Sequence, residues 1–146
     1  MAVRLFIDTS VFFSACYSQT GASFEIFRLA LAGAIQLVTS QYVLEETRRN
    51  LAKKSPEDLP RFQEFQELIY LKIVNPSKQE VLDAAAYTEL KDAPVVAAAR
   101  SAGADHLISL DRRHLVGQAT VVKNSGVSIV LPEDLLRFLR DSELRE

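Results

Sequence analysis

"RLFIDTSVFF", residues 4–13, runs apolar as far as Ile7, breaks into Asp8-Thr9-Ser10, and turns apolar again at Val11. A short apolar run closed by a polar break reads as a buried strand passing into its next element. Taken as "VRLFI" (3–7), it has four counterparts downstream: "IQLVT" (35–39), "LKIVN" (71–75), "HLISL" (106–110) and "VSIVL" (127–131). The segments between them carry helix signals. Residues 22–32 run to Gly33, a helix-ending glycine. Ser40 can cap a helix reaching about Lys53, and Pro56 takes the first position of another after Ser55. "SKQE" (77–80) is a capping box opening 78–89. "DAPVVAAARSAG" (92–103) is a compact helix ending at Gly103, and Pro132 opens a last helix carrying Leu135, Leu136 and Leu139. Strands separated by helices predict an α/β fold. The expected form is a three-layer α/β/α sandwich on a mostly parallel, about five-stranded central sheet. Residues 1–146 show no internal repeat or low-complexity tract and are expected to form a single domain.

Bulk properties narrow the function classes. Apolar residues make up 48% and charged residues 25% of the chain, ordinary values for a globular protein. No apolar run approaches the roughly 20 residues of a membrane-spanning helix, and "MAVRLFID" lacks a signal-peptide layout. A cytoplasmic protein without a membrane partner is therefore expected. The single cysteine, Cys16, excludes an intramolecular disulfide and reads as a small buried hydrophobe. A net charge of −2 argues against a surface coated for nucleic acid. Polyanion binding would have to use local clusters: Arg48-Arg49, Lys53-Lys54, Arg112-Arg113 or Lys123. Each of these can equally be a solvated helix face.

Chemistry is legible in the acids. In open parallel sheets, ligands bind beyond the carboxyl ends of the strands. Asp8 and Asp111 follow two predicted strands and so fall on one rim. Asp92 begins the stripe continued by Val95, Val96 and Ala99 at helical spacing. It is either a helix N-cap or a buried site acid, and the two are compatible. In "SQYVLEETRRNL" the apolar face is Val43, Leu44 and Leu51. Glu46 lies about 30° nearer that face than Glu45 on an ideal wheel, so the reading leans to Glu46. A surface helix with Glu paired to Arg48 or Arg49 remains the plain alternative. Carboxylates that converge repel one another and raise each other's pKa, and a divalent cation relieves this. Oxygen donors select hard ions, Mg²⁺ or Mn²⁺.

Rival chemistries fit less well. A haloacid-dehalogenase-type phosphatase needs an Asp where Ser10 stands. A receiver domain needs an Asp after the third strand, where Asn75 stands. A Rossmann or P-loop binder needs a Gly-rich turn, and "DTSV" has none. His106 and His114 show no nucleophile partner in sequence and read as structural. The aromatic residues read as core, without the aromatic-basic alternation of a stacking surface. Asp105 reads as a loop residue before its strand.

The ordered set "FIDTSVFFSA", "VTSQYVLEETRRNL" and "LKDAPVVAAARSAGADHLISLDRRHL" resembles the PIN-domain nucleases, including VapC-type toxins, over roughly residues 3–140. That resemblance implies a metal-dependent endoribonuclease with Mg²⁺ or Mn²⁺ in an acidic site. By position, Asp8, Glu46, Asp92 and Asp111 match the family's catalytic acids. Asp8, Asp92 and Asp111 would hold the metal, with Thr9, Ser10 and Ser109 in support. Arg48, Arg49, Lys53, Arg112 and Arg113 would contact RNA. Many members carry another acid where this chain has Arg113, which puts a second metal position in doubt. The resemblance also implies a toxin paired with a small antitoxin, and a homodimer. Apolar helical faces around Phe24–Leu31 or Phe62–Ile69 could supply that contact and can equally be core. The alternative is a non-catalytic RNA-binding or protein-interaction module with a degenerate metal site.

Overall fold

Five strands form one sheet in the order β3-β2-β1-β4-β5, every neighbouring pair parallel. The protein is described here by a computed structural model covering residues 2–144. The strands are β1 (Arg4–Ile7), β2 (Gln36–Thr39), β3 (Leu71–Ile73), β4 (His106–Ile108) and β5 (Ser128–Val130). All five predicted strands are present but shorter than the apolar runs. At the end of β4 the Ser109 amide still bonds Val130 O of β5, whereas the Leu110 amide leaves the ladder for Ser10 Oγ in the β1 turn.

Side-chain alternation along β1 explains the layers. Leu5 and Ile7 face one core with Leu37 and Ile108, while Phe6 faces the other with Val38, Leu107 and Ile129. Helices cover both faces, as an all-parallel sheet requires. The first core is closed by α1 (Thr9–Tyr17), α2 (Ala22–Leu31), α4 (Leu59–Leu68) and α8 (Pro132–Leu144). The second is closed by α5 (Lys78–Ala85), α6 (Ala93–Ser101) and α7 (Ala119–Ser125). Helix α3 (Gln41–Lys54) reaches both, with Val43 in one core and Leu51 in the other. Among the described residues, no helix is long and apolar enough to cross a membrane.

Most helix signals act as read. Ser40 accepts from the Val43 amide, and Ser77 with Glu80 completes the capping box. At the end of α2, Gly33 has φ of +78°. Its amide reaches Ala30 O and the Ala34 amide reaches Leu29 O. This is the left-handed terminus that favours glycine. Helix α5 ends at Ala85, short of the predicted residue 89, and residues 86–92 form turns that deliver Asp92. Helices α1 and α7 were not anticipated. The start signal of α1 is Asp8 itself, whose side chain accepts from the Val11 amide. The two apolar faces considered for dimer contact are largely used inside the chain: Phe27, Phe62, Phe65 and Ile69 are buried in the first core.

Candidate metal centre

The strand order reverses at β1, whose neighbours are β2 and β4, so the carboxyl end of β1 adjoins a switch point of the sheet. Asp8 stands there, 6% exposed. One carboxylate oxygen accepts from the Ser10 hydroxyl at 2.6 Å and the Val11 amide at 3.2 Å. The other accepts from the Ser109 hydroxyl at 2.5 Å. Each serine also receives a backbone amide from beyond β4. Ser10 Oγ accepts from Leu110 at 3.1 Å, and Ser109 Oγ accepts from Asp111 at 3.0 Å. The two hydroxyls thus tie the ends of β1 and β4 together around one carboxylate. Burial raises the Asp8 pKa, and the Ser10 and Ser109 hydrogen bonds pull against that shift.

Helix α3 brings in Glu46. Its oxygens accept from Thr9 Oγ1 at 2.5 Å and from the Tyr42 hydroxyl at 3.3 Å. Burial, and secondarily the Glu46 charge, raise the Tyr42 pKa, so the phenol stays a donor. Glu45, one residue earlier, is exposed and lines a separate groove with Arg48 and α4. The helix face therefore separates the two acids: Glu46 lines the cavity and Glu45 does not.

Asp92 stands at the N-cap position of α6 yet makes no capping hydrogen bond. Its Oδ2 is buried without a partner. Burial raises its pKa, and the neighbouring Asp111 adds to the rise. Asp111 sits in the turn after β4, where its Oδ1 accepts from the amides of Arg113 and His114, both at 3.0 Å. That turn folds His114 back on it. His114 Nδ1 lies 3.5 Å from Asp111 Oδ2 and is itself buried without a hydrogen-bond partner.

One cavity of about 520 Å³ is lined by Asp8, Glu46, Asp92 and Asp111 together. Within the cluster, ligand atoms of Asp92, Asp111 and His114 lie within 4.8 Å of one another. Asp8 and Glu46 share the cavity wall but stand outside that compact group, each with both carboxylate oxygens accepting a hydroxyl. Thr9 and Ser10 also line the cavity, whereas Ser109 is fully buried behind Asp8.

The basic residues are placed differently from the sequence expectation. Arg48 lies in the other groove, Arg112 faces Glu133 at 3.6 Å, and Arg49, Lys53 and Arg113 are exposed outside the cavity lining. The cations at the cavity are Lys54 and Lys91. A signal for Lys54 existed, because Glu46, Asn50 and Lys54 follow at four-residue intervals down one stripe of α3 and all three line the cavity. Phe13 and Tyr17 line it too, one turn apart on α1, with ring centroids 6.2 Å apart and planes within 17°. Tyr17 is 65% exposed, against the sequence reading of the aromatics as core. His114 likewise stands at the acids, where the sequence reading made it a structural residue. His106 is elsewhere, in a cavity with Arg4 and Phe138. Cys16 is fully buried, and burial pushes its thiol up to about 12.

The sequence profile of the PIN domain matches residues 4–113, a span containing all four cavity acids. The chain belongs to the PIN domain family. No curated protein matches it at a significant level. Several solved structures share the PIN fold at low identity. PAE2754 from Pyrobaculum aerophilum is 16% identical with a TM-score of 0.66, covering 97% of this chain and 92% of that one. VapBC2 from Rickettsia felis, solved bound to a DNA fragment from its promoter, is 15% identical with a TM-score of 0.62. The match covers 88% of this chain and 98% of that one. VapC20 from Mycobacterium tuberculosis, a sarcin-ricin loop cleaving toxin, is 19% identical with a TM-score of 0.50 over 70% of this chain and 86% of that one. The residues of this PIN domain suit a divalent cation: an orphaned carboxylate oxygen on Asp92 faces a second carboxylate and an unpartnered imidazole nitrogen.

Proposed function

We propose that this PIN domain is a Mg²⁺- or Mn²⁺-dependent endoribonuclease. The observation that carries the reading is the buried, unpartnered Asp92 oxygen beside Asp111, in a cavity that Asp8 and Glu46 also line. A polar atom left in that state is costly unless a ligand completes it. A bound Mg²⁺ or Mn²⁺ would supply Lewis-acid stabilisation of a phosphodiester and a more acidic attacking water.

The chain's own residues divide the remaining work. Asp92 and Asp111 hold the ion, and Asp8 completes or steadies the site from the β1 end. Ser10 and Ser109 fix the Asp8 carboxylate from both sides, so its orientation is set before substrate arrives. Glu46, held by Thr9 and Tyr42, orients the attacking water. Lys54 and Lys91 offset the negative charge of the acids and draw in the phosphate backbone. Tyr17, backed by Phe13, offers an exposed ring to an unstacked base.

RNA is the substrate class that the family resemblance implies, and the sarcin-ricin loop cleavage of VapC20 is consistent with it. A toxin role with a small antitoxin partner in the cytoplasm, and assembly as a homodimer, are extensions of the same reading. Expression without a partner should arrest growth, and a cognate small protein should relieve it. The deciding test is cleavage of mixed RNAs with and without Mn²⁺ by wild type and Asp8→Asn. Wild type should cut only with metal, and the variant should fold and not cut. Equal cleavage by both proteins overturns the assignment; metal binding without cleavage by wild type favours a non-catalytic RNA-binding module.

A further inference from the structure

The sequence pattern pointed to an all-oxygen site, yet the compact group at the acids contains a nitrogen. We propose that His114 Nδ1 is a ligand of the bound divalent cation and biases the site toward Mn²⁺ over Mg²⁺. The inference rests on the metal-dependent reading above and assigns it a donor that the acids alone do not provide.

Three observations carry it. First, Nδ1 of His114 and one oxygen each of Asp92 and Asp111 lie within 4.8 Å of one another, a spread the ligands of one ion can occupy. Second, Nδ1 is shielded from solvent and has no hydrogen-bond partner, even though Asp111 Oδ2 is 3.5 Å away. His106 Nδ1 is also buried without a partner, but only the His114 nitrogen stands in a compact group with two carboxylates. Third, the imidazole is held in place from below. Asp111 Oδ1 accepts the His114 amide at 3.0 Å, and Asp111 O accepts the amides of Leu115 at 3.2 Å and Val116 at 2.8 Å. Leu115, 1% exposed, then anchors the turn in the second core. The residue that supplies the carboxylate therefore also fixes the backbone of the residue that supplies the nitrogen. Their pairing at positions i and i+3 is a built feature of this turn.

The consequence follows from ligand chemistry. Mg²⁺ is held through oxygen and keeps much of its water, whereas imidazole is a ligand of the first-row transition metals, a series in which Mn²⁺ stands first and weakest. Mn²⁺ takes mixed oxygen and nitrogen donors, so one imidazole strengthens its binding more than that of Mg²⁺. Arg113 adds no carboxylate to this turn, and His114 places a nitrogen beside the oxygens of Asp92 and Asp111.

Pulsed electron paramagnetic resonance of Mn²⁺ bound to tag-free protein tests the ligand directly. Wild type should show a ¹⁴N coupling to Mn²⁺, and His114→Gln should lose it while unfolding at a similar temperature. In calorimetric titrations the same variant should lose roughly tenfold or more in Mn²⁺ affinity, with a much smaller loss for Mg²⁺. His106→Gln, remote from the acids, should change neither signal. Bound Mn²⁺ with no nitrogen coupling in wild type overturns the inference and leaves the nuclease reading to the cleavage assay. Nitrogen coupling without RNA cleavage supports the ligand and overturns the nuclease reading instead. Failure of wild type to bind Mn²⁺ overturns both.

Discussion

Asp8 is costly where it stands. Its carboxylate is nearly removed from water and is compensated only by two hydroxyls and an amide, so burial dominates and raises its pKa. The sign of the linkage is then fixed: the folded state binds this proton more tightly than the unfolded chain. The stability contributed by Asp8 is full below its unfolded value of 3.8 and is lost as pH rises through the raised folded pKa. Asp8 therefore makes the metal-free protein less stable at neutral than at acid pH. Asp8→Asn keeps an acceptor for the Val11 amide and offers the Ser109 hydroxyl a donor. It should raise the melting temperature of metal-free protein at pH 7, by about 2–4 °C for each kcal/mol recovered. The advantage over wild type should shrink toward acid pH. Melting curves across pH check this, and a variant less stable than wild type at pH 7 would contradict it. Asp92 has the same sign, since burial first and Asp111 second raise its pKa. Stability given up at both positions is what a site built to receive a cation would show.

At the scale of elements, α3 shows how far sequence alone could go. Its cap at Ser40 and its apolar residues Val43 and Leu51 were legible because capping and periodicity are local. The choice between Glu45 and Glu46 was close on an ideal wheel; in the structure Glu46 lines the cavity of the acids and Glu45 the groove beside α4. Glu46→Gln should therefore lower cleavage by roughly 10²-fold, while Glu45→Gln, facing the other groove, should leave it near wild type. Equal losses in steady-state assays would refute that division. The acids on strand ends and helix starts were readable because topology places such positions on one rim. Which basic and aromatic residues border the cavity was not readable, because a pair such as Arg48-Arg49 carries no sign of which groove it faces. His114 was hidden for a different reason: its neighbour in space is Asp111, through a turn whose geometry depends on side-chain hydrogen bonds. The glycine-marked helix ends at Gly33 and Gly103 were legible too. Gly103, at φ +63° after α6, should cost about 1–2 kcal/mol when replaced by alanine. Chemical denaturation should show that loss without a change in cleavage at low temperature.

Across the whole molecule, a net charge of −2 and a cavity walled by four carboxylates oppose polyanion binding. On the proposed reading, attraction of RNA would have to come from a few placed cations and from an ion in the cavity, rather than from a basic surface. Lys54 and Lys91 border the acids, whereas Arg48 is spent on another groove and Arg112 is turned toward Glu133. Tyr17 adds a component that salt does not screen, since stacking on an exposed ring needs no charge. These two kinds of contact separate in a binding experiment with labelled single-stranded RNA, Mn²⁺ and a Glu46→Gln background that keeps the strand intact. Lys54→Ala and Lys91→Ala should each flatten the dependence of log Kd on log salt by about 0.7, the share of one phosphate contact on a single strand. Tyr17→Ala should weaken binding by about 1–3 kcal/mol with the salt slope unchanged. Arg48→Ala should alter neither. A flattened slope in Arg48→Ala, with none in the two lysine variants, would move the RNA path off this cavity and onto the groove beside α4. The four acids would then no longer lie on that path, and the reading of the cavity as the cutting site would fall with them.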